Sequence, residues 1–195
     1  MRTTRLEAFS DGVLAIIITI MVLELEVPSR PEWGALGESA SSFVTYALSF
    51  VYIGIYWNNH HHMFQVVESI SGGVLWANLH LLFWLSLLPF TTKWMDEEGL
   101  ARVPTVVYGL DLLAAALAYY VLQLAIFAGP SGPVLKEAVG ADLKGKASPL
   151  IYLVGIALAY VAPWLAFVAF AVSALVWLVP DRRMERFVAR SADRP

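Results

Sequence analysis

The sequence predicts an all-α membrane protein of six transmembrane helices, and three observations carry that prediction. Of its 195 residues, 58% are hydrophobic and only 15% charged, with a mean hydropathy of +0.65. A soluble domain is nearer about half apolar and about a quarter charged. The apolar residues also gather into windows of membrane-spanning length, and the basic residues fall on alternate connections between them. No single globular core of this length buries so much apolar surface without lipid. The composition therefore excludes a soluble enzyme, a disordered chain and a nucleic-acid binder with a basic face. With no cysteine, disulfides, thiolate metal sites and cysteine nucleophiles are excluded as well. The net charge of −3 says little, because in a membrane the placement of charge matters more than its sum.

Crossing about 30 Å of hydrocarbon takes about 20 apolar residues as a helix. Four windows qualify: about 8–27, 40–57, 73–92 and 104–128. Breakers separate them: Pro28 and Pro31, the polar stretch Asn58 to Ser71, and Asp96 to Glu98. Gly129-Pro130-Ser131-Gly132-Pro133 then stops the fourth. Arg2 and Arg5 ahead of an apolar run suggest a secretory signal. The run is too long, however, and ends in Glu24-Leu25-Glu26 without a small-residue cleavage site, so it reads as a permanent first span.

The last apolar stretch, about 149–179, would reach about 45 Å as one straight helix, too long for one ordinary crossing. Ser148 and Pro149 read as an N-cap with proline at the first helical position, and Pro163 sits near the middle. The choice lies between one kinked helix and a hairpin of two short spans, 149–161 and 164–179. Charge decides it. With six spans and both termini in the cytoplasm, 10 of the 13 basic residues lie inside, leaving only Arg30, Lys93 and Arg102 outside among a run of acids. Five spans would place the arginine-rich tail, 181–195, on the wrong side. That tail reads as a cytoplasmic anchor facing anionic lipid. Trp57, Trp76 and Trp177 fall near the inner interface and Trp94 and Trp164 near the outer one, as an aromatic belt requires. The chain thus reads as one six-span domain over 1–195.

Polar residues inside these windows need a reason. The first span opens Arg5-Leu6-Glu7-Ala8-Phe9-Ser10-Asp11-Gly12. At helical spacing, Phe9, Gly12, Ile16, Thr19, Ile20 and Leu23 lie within about 60° of one direction, while Ser10 and Asp11 point well away. A carboxylate at mid-bilayer costs about 2.5–3.5 kcal/mol on the insertion scale, so Asp11 is expected to be paired or solvated. Arg5, six residues earlier, is a candidate partner. Spacing alone leaves open whether Asp11 is helix glue or part of a site.

The segment Arg5-x-x-x-Phe9-Ser10-Asp11, followed by Gly12-Val13-Leu14-Ala15-Ile16 and Thr19, resembles the signature of the endosomal/lysosomal potassium channels called transmembrane protein 175. The resemblance is to their bacterial single-repeat homologues, and in length and span number it extends over the whole chain. Beyond the first span it rests on Trp57, the His60-His61-His62 cluster, Asn78 and Pro89-Phe90. The resemblance implies a homotetramer whose first helices line a central cation pore without a backbone-carbonyl filter. It implies an aliphatic constriction at Ile16, followed by Ile20 and Leu23, with Thr19 a hydroxyl just beyond the first ring. It further implies that Arg5, Phe9, Ser10 and Asp11 hold the first helix through a polar network. The spacing is compatible: Ile16, Ile20 and Leu23 form one stripe, and a ring of such stripes gates by dewetting.

Other features attract bland readings. Thr105-Val106-Val107-Tyr108-Gly109 differs by one residue from a carbonyl filter, but Val107 replaces the central glycine and Pro104 opens an ordinary helix. His60, His61 and His62 lie about 100° apart on a helix and cannot converge on a metal. They read as an interfacial cluster, with pH sensing as the sharper alternative. His80 is expected to bond to a nearby helix. Asp111 in the fourth span is an intramembrane acid, for which structural pairing is the bland reading. Gly155, Ala159, Ala115 and Ala118 read as small-residue packing surfaces.

The functional expectation is a potassium-permeable channel in the bacterial inner membrane, with monovalent cations, lipid and further copies of itself as partners. No cofactor, catalytic group, resident metal or nucleic acid is expected. The alternative is a proton-coupled transporter of ions or small molecules, with Asp11 and Asp111 as its protonation sites.

Overall fold

The computed structural model describes residues 3–67, 69–140 and 142–178, so the basic tail 181–195 and Arg2 lie outside the described residues. Among these the regular structure is wholly helical: α1 (Thr3–Leu23), α2 (Trp33–Glu38), α3 (Ala40–Gln65), α4 (Gly72–Glu97), α5 (Arg102–Phe127), α6 (Gly132–Val139), α7 (Leu143–Val161) and α8 (Pro163–Leu178). Four of them, α1, α3, α4 and α5, are long and apolar enough to cross a membrane, and α8 is a shorter apolar helix of 16 residues.

Local chemistry sets the helix ends. Ser71 caps α4 by accepting the Val74 N–H at 3.3 Å. The α4–α5 hairpin turns through Gly99 and Leu100, both at positive φ, with Gly99 and Leu100 donating to the carbonyls of Asp96 and Met95. Glycine accepts that backbone without a Cβ penalty, and the residue after it is carried into the same region.

The start of α7 differs from expectation. Asp142, not Ser148, is its N-cap, accepting the Gly145 N–H at 3.0 Å, and Pro149 sits inside the helix. The first turn carries Lys144 and Lys146, so hydropathy conceals it while hydrogen bonding still favours helix. Ser148 instead donates to the Lys144 carbonyl (2.9 Å) and accepts the Trp177 indole N–H (2.7 Å). Together with Lys144 Nζ on the Val176 carbonyl (3.1 Å), this ties the start of α7 to the end of α8. The chain breaks between them at Ala162, in an extended conformation.

The core is built around α5. It packs along α4 and α7, and α1 lies across α4 and α3. Tyr108, Leu112, Ala115, Ala118 and Leu122 form its buried face, spaced three and four residues apart. Phe170 of α8 fills the notch over two glycines: a Cβ on Gly109 or Gly155 would stand 2.6 or 2.4 Å from its ring. The Tyr52 hydroxyl donates to the Phe170 carbonyl at 2.7 Å, fastening α3 to α8. Ala159, like Ala115 and Ala118, is fully buried at these close helix contacts.

Candidate functional site

Helix α1 has two faces. Leu6, Ser10, Leu14, Ile17 and Met21 are buried, and their spacing runs down one side of the helix. The opposite side is open: Phe9, Gly12, Thr19 and Ile20 are exposed, with Ile16 at 60% and Leu23 at 77%. The Thr19 hydroxyl donates to the Ala15 carbonyl at 2.8 Å, which leaves its oxygen an acceptor on the exposed side. The six stripe residues therefore share one free surface of the subunit.

Hydrogen bonds at one end of α1 fix which side is buried. Ser10 Oγ donates to the Leu6 carbonyl (2.9 Å) and accepts from Asn78 Nδ2 (3.0 Å) on α4. The same Asn78 bonds through Oδ1 to His60 Nε2 of α3 at 2.8 Å, and all three residues are buried. Asn78 thus clamps α1 and α3 onto α4. Next to it, Trp57 Nε1 donates to Asp11 Oδ1 at 3.0 Å. Trp57 stacks on His61, whose Nδ1 lies 3.9 Å from Glu7 Oε1.

This arrangement divides the four residues of the opening motif. Ser10 and Asp11 make contacts with α4 and α3. Arg5 is exposed and makes no ion pair among the described residues, and Phe9 lies on the open side. Asp11 is partnered by Trp57 instead of Arg5, because six residues of helix carry the two side chains about 120° apart. The histidine cluster diverges as its spacing requires: His60 turns inward to Asn78, while His61 and His62 are bonded to Gln65. His80 takes a partner on its own helix, accepting from Trp84 Nε1 at 3.0 Å, not on a neighbouring one.

Apart from Asp111, for which structural pairing was expected, sequence reasoning missed a second polar system inside the subunit. Thr45 donates to Asp96 at 3.2 Å, Ser49 bonds to Thr92 (2.7 Å) and Tyr108 (3.0 Å), and Thr91 donates to Asp111 Oδ2 at 3.0 Å. Asp111 is 4% exposed, and its Oδ1 has no hydrogen-bond partner among the described residues. The signal was present in α3, where Thr45, Ser49, Tyr52 and Tyr56 recur at steps of four, three and four and are all buried.

A family model described as endosomal/lysosomal potassium channel TMEM175 matches residues 5–89, which covers the α1 motif, the α3 anchors and Asn78. A potassium channel of Chryseobacterium sp. (strain P1-3) is 49% identical over 183 residues, spanning 93% of this chain and 95% of that one. The chain belongs to the TMEM175 family. It is therefore a member of an ion-channel family and not of an enzyme family, and its helices are those of a multi-pass membrane protein. The crystal structure of a lysosomal potassium-selective channel TMEM175 homologue from Chamaesiphon minutus superposes with a TM-score of 0.75. That protein is 31% identical, and the match covers 91% of this chain and 96% of that one. The endosomal/lysosomal proton channel TMEM175 of Danio rerio is 29% identical over 118 residues, of which the match covers only 22% of its length.

Proposed function

We propose that this chain is a potassium-permeable cation channel of the bacterial inner membrane, assembled as a homotetramer with four copies of α1 around the ion path. The carrying observation is the open aliphatic face of α1 opposite an anchored one. In this reading Ile16 forms the first ring, Ile20 and Leu23 the rings beyond it, and Thr19 offers an oxygen between them. An aliphatic ring opposes ions by excluding water, so its radius and its wetting set the barrier. The potassium-channel names of the Chryseobacterium and Chamaesiphon relatives support the choice of ion.

The six spans are then α1, α3, α4, α5, α7 and α8, with both termini on the cytoplasmic side. The bonds of Lys144 and Ser148 with Val176 and Trp177 support that topology, since they bring the lysine-bearing start of α7 beside the end of α8. At about 1.5 Å per residue, α8 spans about 24 Å, which suits a tilted or protein-shielded helix.

Replacing Ile16 with Asn tests the constriction. In planar bilayers the variant should pass on the order of ten times more current, corresponding to about 1.4 kcal/mol off the barrier, with sodium gaining more than potassium. An unchanged current from a normally assembled tetramer would remove Ile16 from the constriction.

One observation favours a second reading. Asp111 has a buried oxygen without a partner among the described residues, as a protonation site in a proton-coupled transporter would, with Asp11 as the second acid. That reading requires saturable, pH-driven flux instead of unitary potassium currents.

A further inference from the structure

Where the stripe of α1 ends, the molecule is acidic. A cavity of about 260 Å³ opens there, lined by Glu24, Glu26, Asp96 and Glu97, and Lys93 is the one basic side chain among its described lining residues. The Lys93 ammonium pairs directly with Glu24 and lies 3.8 Å from Glu97 Oε1. Glu24 immediately follows Leu23, the last aliphatic of the stripe. Asp96 is held by the Thr45 hydroxyl.

The other two basic residues on this side have different engagements. Arg30 pairs with Glu38, and Arg102 sits over the Tyr160 ring, 5.9 Å from its centroid. The carboxylates form no metal-holding group among the described residues. What they offer a passing ion is a field, and Lys93 is the group that opposes it at the end of α1.

We propose that Lys93 is a conductance-determining residue: by neutralising Glu24 beside the outer end of the ion path, it lowers the local cation concentration and the rate of cation arrival. The inference rests on α1 lining that path. Each copy of the chain contributes one such ammonium, so their effect on the mouth potential adds. The charges are half-exposed, and salt therefore screens them within about 10 Å at 0.1 M and about 3 Å at 1 M.

The test is single-channel conductance of the assembled protein in planar bilayers as a function of external potassium chloride. Lys93→Gln should raise inward conductance on the order of three- to six-fold at about 20 mM salt and leave it nearly unchanged at about 1 M. Lys93→Arg, which keeps the charge, should match the parent. Glu24→Gln, which removes a carboxylate and leaves Lys93 only the longer contact with Glu97, should lower the low-salt conductance, and it reads the same field without altering Lys93. Equal conductance of Lys93→Gln and parent at low salt, with an altered current in the Ile16 variant, overturns the role of Lys93 and leaves the α1 pore standing. A rise or no change in Glu24→Gln also overturns it. No response to any of these substitutions, Ile16 included, overturns the pore reading together with the inference.

Discussion

Replacing Asn78 with Ala should cost the protein on the order of 2 kcal/mol. The amide bridges three helices, and its removal breaks two interhelical bonds at once: Nδ2 to Ser10 on α1, and Oδ1 to His60 on α3. The two losses are unequal. Ser10 keeps its donated bond to the Leu6 carbonyl and forfeits only an accepted one, an interhelical loss worth about 0.6 kcal/mol in membrane bundles. His60 Nε2 is left without its acceptor in a residue only 2% exposed, and an orphaned buried donor costs about 1–3 kcal/mol. At about 2–4 °C per kcal/mol for a chain of this size, melting should fall by about 4–8 °C. Size-exclusion chromatography of heated, detergent-solubilised protein measures this directly. Ser10→Ala alone should shift melting far less, and the double variant should fall short of the sum by about 0.5–1 kcal/mol, because both substitutions remove the same bond. A shift below about 1 °C for Asn78→Ala, or strict additivity in the cycle, would refute the clamp.

Two further substitutions probe the remainder of the bundle. Gly155→Ala places a Cβ 2.4 Å from Cε1 of Phe170, which is fully buried, so overpacking should destabilise by about 1–3 kcal/mol. Adding Phe170→Leu should recover part of the loss, and the same chromatographic melting curve reads both. Asp111→Asn keeps an acceptor for the Thr91 hydroxyl while removing a group that costs about 2.5–3.5 kcal/mol when charged at mid-bilayer, so melting should hold or rise. Potassium currents should persist in this variant. Saturable, pH-driven flux in the parent that Asp111→Asn abolishes, with no unitary potassium current in either, would move the protein to the transporter reading.

The long helices were legible because lipid imposes a length: α1, α3, α4 and α5 each contain an apolar run that no soluble core needs. The first turn of α7 was not, because Lys144 and Lys146 depress its hydropathy while the Asp142 cap that starts it is a local bond with no periodic signature. In α1, the position of Ser10 was readable from phase, since a hydroxyl among aliphatics turns toward whatever can bond to it. Its partner Asn78, 68 residues away, was not readable from spacing, although the family resemblance had singled that residue out. Asp11 illustrates the opposite failure. Arg5 is the nearest opposite charge in sequence, yet helical geometry turns it away, and the indole of Trp57 on another helix takes its place. The hydroxyls of α3 form a stripe as regular as any apolar one, and reading polar residues for period would have exposed them.

Both faces of α1 are largely aliphatic, so hydrophobicity cannot choose between them, and lipid tails give no apolar driving force for one side over the other. The choice therefore falls to the few polar bonds. Ser10 to Asn78 and Asp11 to Trp57 fix the rotation of the helix about its own axis, and a rigid helix carries that rotation along its length. Ile16 lies six residues, about 9 Å, beyond Ser10. A slip of one residue in that anchoring would turn the helix by about 100° and present Ala15 or Ile17 where Ile16 now stands. In the proposed pore, alanine there would open the ring, whereas Ile17 would leave the core it now fills. In that proposed pore, the residues that set the constriction are consequently of two kinds: aliphatics that form it, and polar groups that never touch an ion but decide which aliphatics those are.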